Sequence, residues 1–343
     1  MREPGNGHGL PPPKRSHGRS VIMSSIHEFI LRSGSYHVRK QMSLADRRFV
    51  DASAAAIAEP SRNTGLTHPA WCGASFPRRQ VPNGQSWTSH GPRYSITVEP
   101  GLRIVDGNLE PDGVPFGSRI RLIMMYVQTV AAHRHSTKVL LCTTLNSCMQ
   151  EMGLAVGGHS YVLMREQIRR FISCRITVQD GHVPEVTRAE QLSNRSLLLK
   201  DHDALPACAS SPITVTLGGD YLISLERESV AFWQPALKLL ANQSLSIDAY
   251  LWLAHVLPRI QAPTTVTWST LHRQFGPSFK NLFQFRPRFI SAAKMAIAVY
   301  RAANIDICVS NGIVLRPSAP PVIGDSTAWG CGAAASALPK RAS

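Results

Sequence analysis

The order helix, strand, helix, turn, helix, strand, strand occurs twice along this sequence, and an Asn-Gly pair between alternating apolar residues closes the second copy. With apolar residues at helical spacing through most of residues 112–323, this predicts an α+β, mainly helical fold. The expected architecture is two tandem winged-helix (helix-turn-helix) domains behind a partly disordered basic N-terminal arm. The expected boundaries are an arm over 1–40, an extension with a helix and short strands over 41–111, winged-helix domains over 112–230 and 231–323, and a disordered tail over 324–343.

Residues 1–40 mix Gly, Pro, Ser, His and Arg without an apolar period, as flexible segments do. Asp46 is placed to cap a helix carrying Phe49, Ala52, Ala56 and Ile57, with Pro60 beyond its end. Ser61 to Ser89 read as loop. Tyr94 to Val98 alternate like a strand, which Pro100-Gly101 turns.

In the first domain, Ser118 opens a helix with Ile120, Ile123, Val127 and Val130 at helical spacing. Lys138 to Cys142 is a short strand. Thr143 or Thr144 then caps a helix through Leu145, Cys148, Met149 and Met152, which Gly153 ends. After Gly157-Gly158, a third helix places Tyr161, Met164, Ile168, Phe171 and Ile172 on one face. Arg175 to Val178 and Pro212 to Leu217 are strands separated by a long polar loop.

In the second domain, Ser246 caps a helix with Ile247, Tyr250, Leu251, Ala254 and Leu257, ended by Pro258. Val266 marks a strand, and Trp268, Leu271 and Phe275 a short helix closed by Gly276. Pro287 suits a first helical position, and the helix after it buries Phe289, Ala292, Ala296, Val299 and Tyr300. Ile305, Ile307 and Val309 alternate before Asn311-Gly312, as Ile313 and Leu315 do after it. That is the strongest short-range hairpin signal, because both turn positions need positive φ.

The charge balance points to a polyanionic partner. Among 343 residues, 37 Lys and Arg face 22 Asp and Glu, a formal +15. The longest apolar stretch, Ser244 to Ile260, is short of the roughly 20 residues of a spanning helix and is broken by Asp248, His255 and Pro258. The N-terminus lacks the apolar core of a secretory signal, and seven scattered cysteines form no C-x-x-C pair. These features predict a cytoplasmic protein with reduced thiols and no membrane partner.

A helix-turn-helix lays its second helix in the major groove, so that helix's outer face should be cationic. In the second domain Arg286, Lys294 and Arg301 fall on one face, opposite the apolar row, with His272, Lys280 and Arg288 nearby. In the first, Arg169 and Arg170 point away from the apolar row, with Arg165 at its margin. These nine residues are the expected DNA-binding set, although a solvated cationic face has the same pattern.

Catalytic constellations are thin, and none is expected. His133-Arg134-His135 has Arg where a metal-binding pair would place an apolar residue. The two histidines with Cys142 and Cys148 match no standard zinc spacing, and Asp201-x-Asp203 lies in a polar loop. Gly157-Gly158 lacks the Lys of a phosphate loop, so no cofactor is expected. Trp233, Trp252 and Trp268 sit among periodic apolar residues as core anchors.

Several segments carry a resemblance. Gly113-Val-Pro-Phe-Gly-Ser-Arg-Ile-Arg-Leu122, Arg165-Glu-Gln-Ile-Arg-Arg-Phe171 and Ser246-Ile-Asp-Ala-Tyr-Leu-Trp-Leu-Ala254 are three of them. Leu271-His-Arg-Gln-Phe-Gly276, Phe285-Arg-Pro-Arg-Phe289 and Leu315-Arg-Pro-Ser-Ala-Pro-Pro-Val322 are three more. In order and spacing, from about Gly73 to Val322, the chain resembles the RepA-type replication initiators of alphaproteobacterial plasmids. It departs from them at Phe116, where the family usually has Tyr, and at Arg301-Ala302, where Pro and an acidic residue often follow. The resemblance implies a non-enzymatic protein that binds double-stranded origin repeats, promotes origin opening and helps recruit the host helicase. The host initiator and a second copy of the chain are further candidate partners. A winged-helix transcriptional repressor is the alternative reading, and a metal-dependent origin nickase a weaker one.

Overall fold

A computed structural model describes residues 26–60, 62–182, 196–197 and 213–322. The extension begins with three helices, α1 (Ile26–Ser33), α2 (Ser35–Gln41) and α3 (Arg47–Ala58). It continues through β1 (Thr64–Thr67), α4 (Ala70–Gly73), β2 (Trp87–His90) and β3 (Tyr94–Glu99) to a hairpin of β4 (Leu102–Val105) and β5 (Asn108–Pro111). Next come α5 (Gly117–Arg134), β6 (Lys138–Cys142), α6 (Leu145–Glu151), α7 (Gly158–Ser173), β7 (Arg175–Asp180), β8 (Ser196–Leu197) and β9 (Ile213–Thr216). A connector of α8 (Gly219–Glu228), β10 (Val230–Trp233) and α9 (Gln234–Leu239) follows. The last unit holds α10 (Ser244–Val256), β11 (Thr264–Thr267), α11 (Trp268–Phe275), α12 (Leu282–Val299), β12 (Ile305–Cys308) and β13 (Gly312–Leu315). The architecture is α+β. No helix among the described residues is long and apolar enough to cross a membrane.

From α10 onward the elements have winged-helix order, with a three-stranded sheet β11-β13-β12 beside α11 and α12. From α5 to β9 the same order recurs, but its sheet is divided. β6 pairs with β9, while β7 pairs with β8 on one side and with β3 of the extension on the other. The extension is thus woven into the first unit, and β1 pairs with β10 of the connector.

Several expectations need correction. Residues 26–40, read as part of a disordered arm, form α1 and α2, because Ile26, Ile30 and Val38 supply a buried apolar row. Residues 1–25 and 323–343 lie outside the described residues. The loop read over 61–89 contains β1, α4 and β2, and Trp71, Cys72 and Phe76 in it are buried. Pro287 is inside α12, not at its start. Asn281 begins that helix, its side-chain oxygen accepting from the Gln284 amide at 3.0 Å. The Asn311-Gly312 hairpin forms, yet only Gly312 has positive φ, and Cys308 pairs with Gly312 so that Val309, Ser310 and Asn311 make the turn. The turn with positive φ at both positions is Asp106-Gly107, at φ 48° and 82°, between β4 and β5.

One continuous apolar core runs through all these parts. Two buried polar clusters lock the extension to it. The Gln128 side-chain oxygen on α5 accepts from the His68 amide and the Tyr221 hydroxyl, both at 2.8 Å. Arg121 of α5, only 3% exposed, pairs with Asp248 of α10 through Nε at 2.7 Å and Nη2 at 2.8 Å. Its guanidinium also donates to the carbonyls of Phe76 at 2.7 Å and Gly117 at 2.6 Å. Both charges have hydrogen-bond partners, as burial requires.

Candidate nucleic-acid interface

The α11–α12 pair is set by capping and aromatic packing. Thr267 caps α11, its hydroxyl accepting from the Thr270 amide at 3.3 Å. Phe285 and Phe289 turn inward from α12 and lie 5.2 Å apart, with Phe275 of α11 5.2 Å from Phe289. That burial leaves Phe283, Gln284, Pro287 and Arg288 on the outer side of the first turns, Phe283 being 87% exposed. They border an open groove of 830 Å³ whose lining also includes Arg78 and Arg79 of the extension. Arg78 lies 3.9 Å from the centre of the Phe279 ring and donates from Nε to the Ser278 hydroxyl at 3.2 Å. Burial lowers its pKa to about 10, which leaves it charged at neutral pH. Arg79 beside it is exposed.

Of the residues expected in the second unit, Arg288 and Lys280 are exposed at this open end. Arg286 is half-buried on the flank toward the hairpin, its guanidinium 5.6 Å from the Trp268 ring centre. Trp268 Nε1 in turn donates to the carbonyls of Cys308 at 3.1 Å and Val309 at 3.0 Å. His272 is half-buried, edge-on to Phe285 at 5.2 Å, and serves the packing of the turn. Lys294 does not share a free face with Arg286. α3 packs against that part of α12, and Lys294 reaches Asp46 at 3.8 Å and lies over the Phe49 ring. Arg301 is exposed beyond the far end of the helix, about 22 Å along the axis from Arg286 at ~1.5 Å per residue.

In the first unit, α7 keeps less of its charge outside. Arg170 does not point away from the core as expected. It is buried, donating from Nη1 to the Val114 carbonyl at 3.3 Å and pairing with Glu166 at 2.9 Å. Gly113, at φ 80°, makes room for it, because a Cβ there would overlap the guanidinium. Arg169 pairs with the buried carboxylate of Asp112, and burial together with the neighbouring Arg103 and Arg170 lowers its pKa. Arg165 is exposed. It shares a shallow depression of 410 Å³ with Val162 and with Arg103 of β4, which also pairs with Asp112 at 3.5 Å.

The cations that sequence reasoning missed are therefore Arg78, Arg79 and Arg103, all from the extension. Arg78-Arg79 was legible as a basic pair in a loop, and Arg103 as the residue three before Asp106-Gly107. Neither signal says which helix the pair would reach.

His133 Nε2 lies 3.4 Å from the Thr64 carbonyl, and His135 Nδ1 lies 2.9 Å from Glu226. Among the described residues no group of three or more His, Cys, Asp and Glu side chains could hold a metal ion. Asp201 and Asp203 lie outside the described residues.

The last unit is thus a helix-turn-helix with a wing and a basic groove beside its second helix. Residues 114–270 match the family model described as plasmid encoded RepA protein. The matched segment runs from just before α5 into α11 and stops short of α12. No curated protein matches the chain. Among solved structures, a selenomethionine derivative of domains 2 and 3 of RctB is similar over 75% of this chain and 99% of that one. The likeness has a TM-score of 0.47 and 10% identity. A second structure of RctB domains 2–3 covers 68% of this chain and 86% of its own, with a TM-score of 0.41 and 11% identity.

Proposed function

We propose that this chain is a plasmid replication initiator of the RepA kind, a non-catalytic protein that binds double-stranded origin repeats through two tandem winged-helix domains. The match over residues 114–270 supports the family, and the +15 charge supports the polyanionic partner. The observation that carries the reading is the open N-terminal half of α12. Its end is the one that meets base edges in a helix-turn-helix, and here it is bracketed by Arg286 on the wing side and by Arg78, Arg79 and Arg288 on the groove side. In this reading Arg288 and Gln284 read bases, Arg78, Arg79 and Lys280 hold phosphates, and α7 with Arg165 and Arg103 touches backbone farther along the site. Arg169, Arg170, His272 and Lys294 support the fold beneath these surfaces. Bound to repeats in the bacterial cytoplasm, the protein would promote opening of the origin and help bring in the host helicase.

The test is replication itself. The gene with its flanking DNA, cloned into a plasmid lacking an origin, should sustain that plasmid, whereas a repressor of the same fold would not. In parallel, log K for the repeats should fall with log salt at about −0.9 per neutralised phosphate, for roughly five to eight contacts. A flat salt response with no plasmid maintenance would overturn the proposal.

A further inference from the structure

A second cavity, of 640 Å³, lies at the opposite end of α10 from the basic groove. Ser244, Leu245 and Ser246 line the groove and Trp252, His255, Val256 and Arg259 the cavity, so six residues of α10, about 9 Å at ~1.5 Å per residue, separate their nearest lining positions. Its walls come from three parts of the chain: α4 and the β2–β3 turn of the extension, the end of α8, and α10 with α11. The size falls within the ~300–1,000 Å³ of small-molecule sites.

Its lining combines three arginines with apolar residues. Arg93, Arg227 and Arg259 line it against a single carboxylate, Glu228. Arg93 and Arg227 are engaged with Glu228 at 3.0 and 2.8 Å. Arg259 donates Nη1 to the His255 carbonyl at 2.7 Å and has no carboxylate partner among the described residues. Two further polar atoms of the lining, Nδ1 of His255 and Nε2 of Gln274, are buried and make no hydrogen bond within the protein. Burial and the neighbouring Arg259 hold the His255 pKa down to about 4, so its ring is neutral at pH 7. Buried polar atoms left without a partner are costly unless something satisfies them. Trp252 and Val256 supply the apolar wall.

We propose that this cavity binds a small phosphate-bearing ligand of nucleotide size. Arg259 takes the phosphate, and Gln274 and His255 bond to its polar atoms or those of the attached group. Because the walls belong to three parts of the chain, the bound ligand holds the extension and connector against the last unit.

Titration calorimetry and melting curves of the full chain test this with ADP, pyrophosphate and adenosine. ADP should bind one to one and raise Tm, and adenosine should do neither. Arg259→Ala and Gln274→Leu should each weaken ADP by about tenfold, the size of one charge-assisted contact. Arg79→Ala, on the groove, should leave ADP binding unchanged. Pyrophosphate binding as tightly as ADP would still support the phosphate site and would assign the Trp252 wall no part in it. Absence of heat and of a Tm shift with both phosphates at millimolar concentration overturns the proposal. So does a loss with Arg79→Ala equal to that with Arg259→Ala, since that pattern is diffuse attraction to a basic surface.

Discussion

The helices α7 and α12 occupy the same place in their units, and the extension treats them in opposite ways. On α7 charge is removed where the extension hands over to the first unit, because Asp112 and the turn after it draw in Arg169 and Arg170 and leave Arg165 outside. On α12 the extension removes Lys294 through Asp46 of α3 but adds Arg78 and Arg79 beside the first turns. The first unit therefore offers a sparse cationic surface, and the second a groove with cations on both flanks. A helix's own sequence states which face avoids its core. It does not state whether that face meets solvent or another part of the chain.

The largest expected effect tests what the two units share. Arg121 and Asp248 join the first helix of each unit, so neither unit should keep its stability when the pair is broken. Asp248→Ala leaves the buried guanidinium without its charge partner and should cost about 3–5 kcal/mol, measured by denaturant unfolding. A single cooperative transition at lower denaturant is expected. Two transitions, with one unmoved, would show that the units are energetically separate despite the shared core.

Binding variants separate the roles of the two helices. Arg288→Ala should weaken binding to repeats by about 1–3 kcal/mol and relax preference at one base, while scrambled DNA loses less. Arg79→Ala should weaken both DNAs equally. On the α7 side, Arg165→Ala and Arg103→Ala should each reduce the salt slope by about 0.9 without changing the ratio of repeat to scrambled affinity. A change in that ratio for Arg165→Ala would make α7 a base reader and reverse the ranking of the two helices.

Most helices and the second wing were legible because their signals are local. Thr144 does cap α6, its hydroxyl accepting from the Ser147 amide, and the apolar rows of α5 and α10 are buried where the period placed them, as are Met164, Ile168 and Phe171 of α7, with Tyr161 and Ile172 half-buried. The failures are of two kinds. Short elements such as β1, α4 and β10 are too brief to show a period and exist because they pair or pack at long range, Thr64 with Trp233 for example. Turn signals compete as well. Asn311-Gly312 lies between strands whose Ile307 and Ile313 are buried, whereas Asp106-Gly107, an equally strong pair, joins strands whose Leu102, Ile104 and Leu109 are exposed. The site was legible only in part for the same reason. Arg288 and Lys280 could be placed from the helix-turn-helix alone, but Arg78 and Arg79 could not, since about 200 residues separate them from Ser278 and Phe279.

The smallest effect is the most direct check on that distinction. By helical spacing alone, Lys294→Ala should weaken all DNA binding and lower the salt slope by about 1. The structure predicts otherwise. Lys294 lies 3.8 Å from Asp46, with its ammonium over the Phe49 ring, and its side chain is 26% exposed against 40% for Asp46. A partly exposed pair at that distance contributes at most about 1 kcal/mol, and solvent screening takes it below that. Lys294→Ala should therefore lower stability by roughly 0.5 kcal/mol and leave both the affinity and the salt slope unchanged. Asp46→Ala should produce a similar small loss, and the double variant should lose less than the sum, since the two side chains share one interaction. Asp46 also accepts from Ser43 at 2.7 Å, so its own substitution should cost slightly more than that of Lys294. Melting curves for the three variants and titrations against repeats at two salt concentrations decide the matter. A salt slope lowered by about 1 with additive stabilities would mean that Lys294 leaves α3 for a phosphate, and that α12 reads DNA along more of its length than its open first turns.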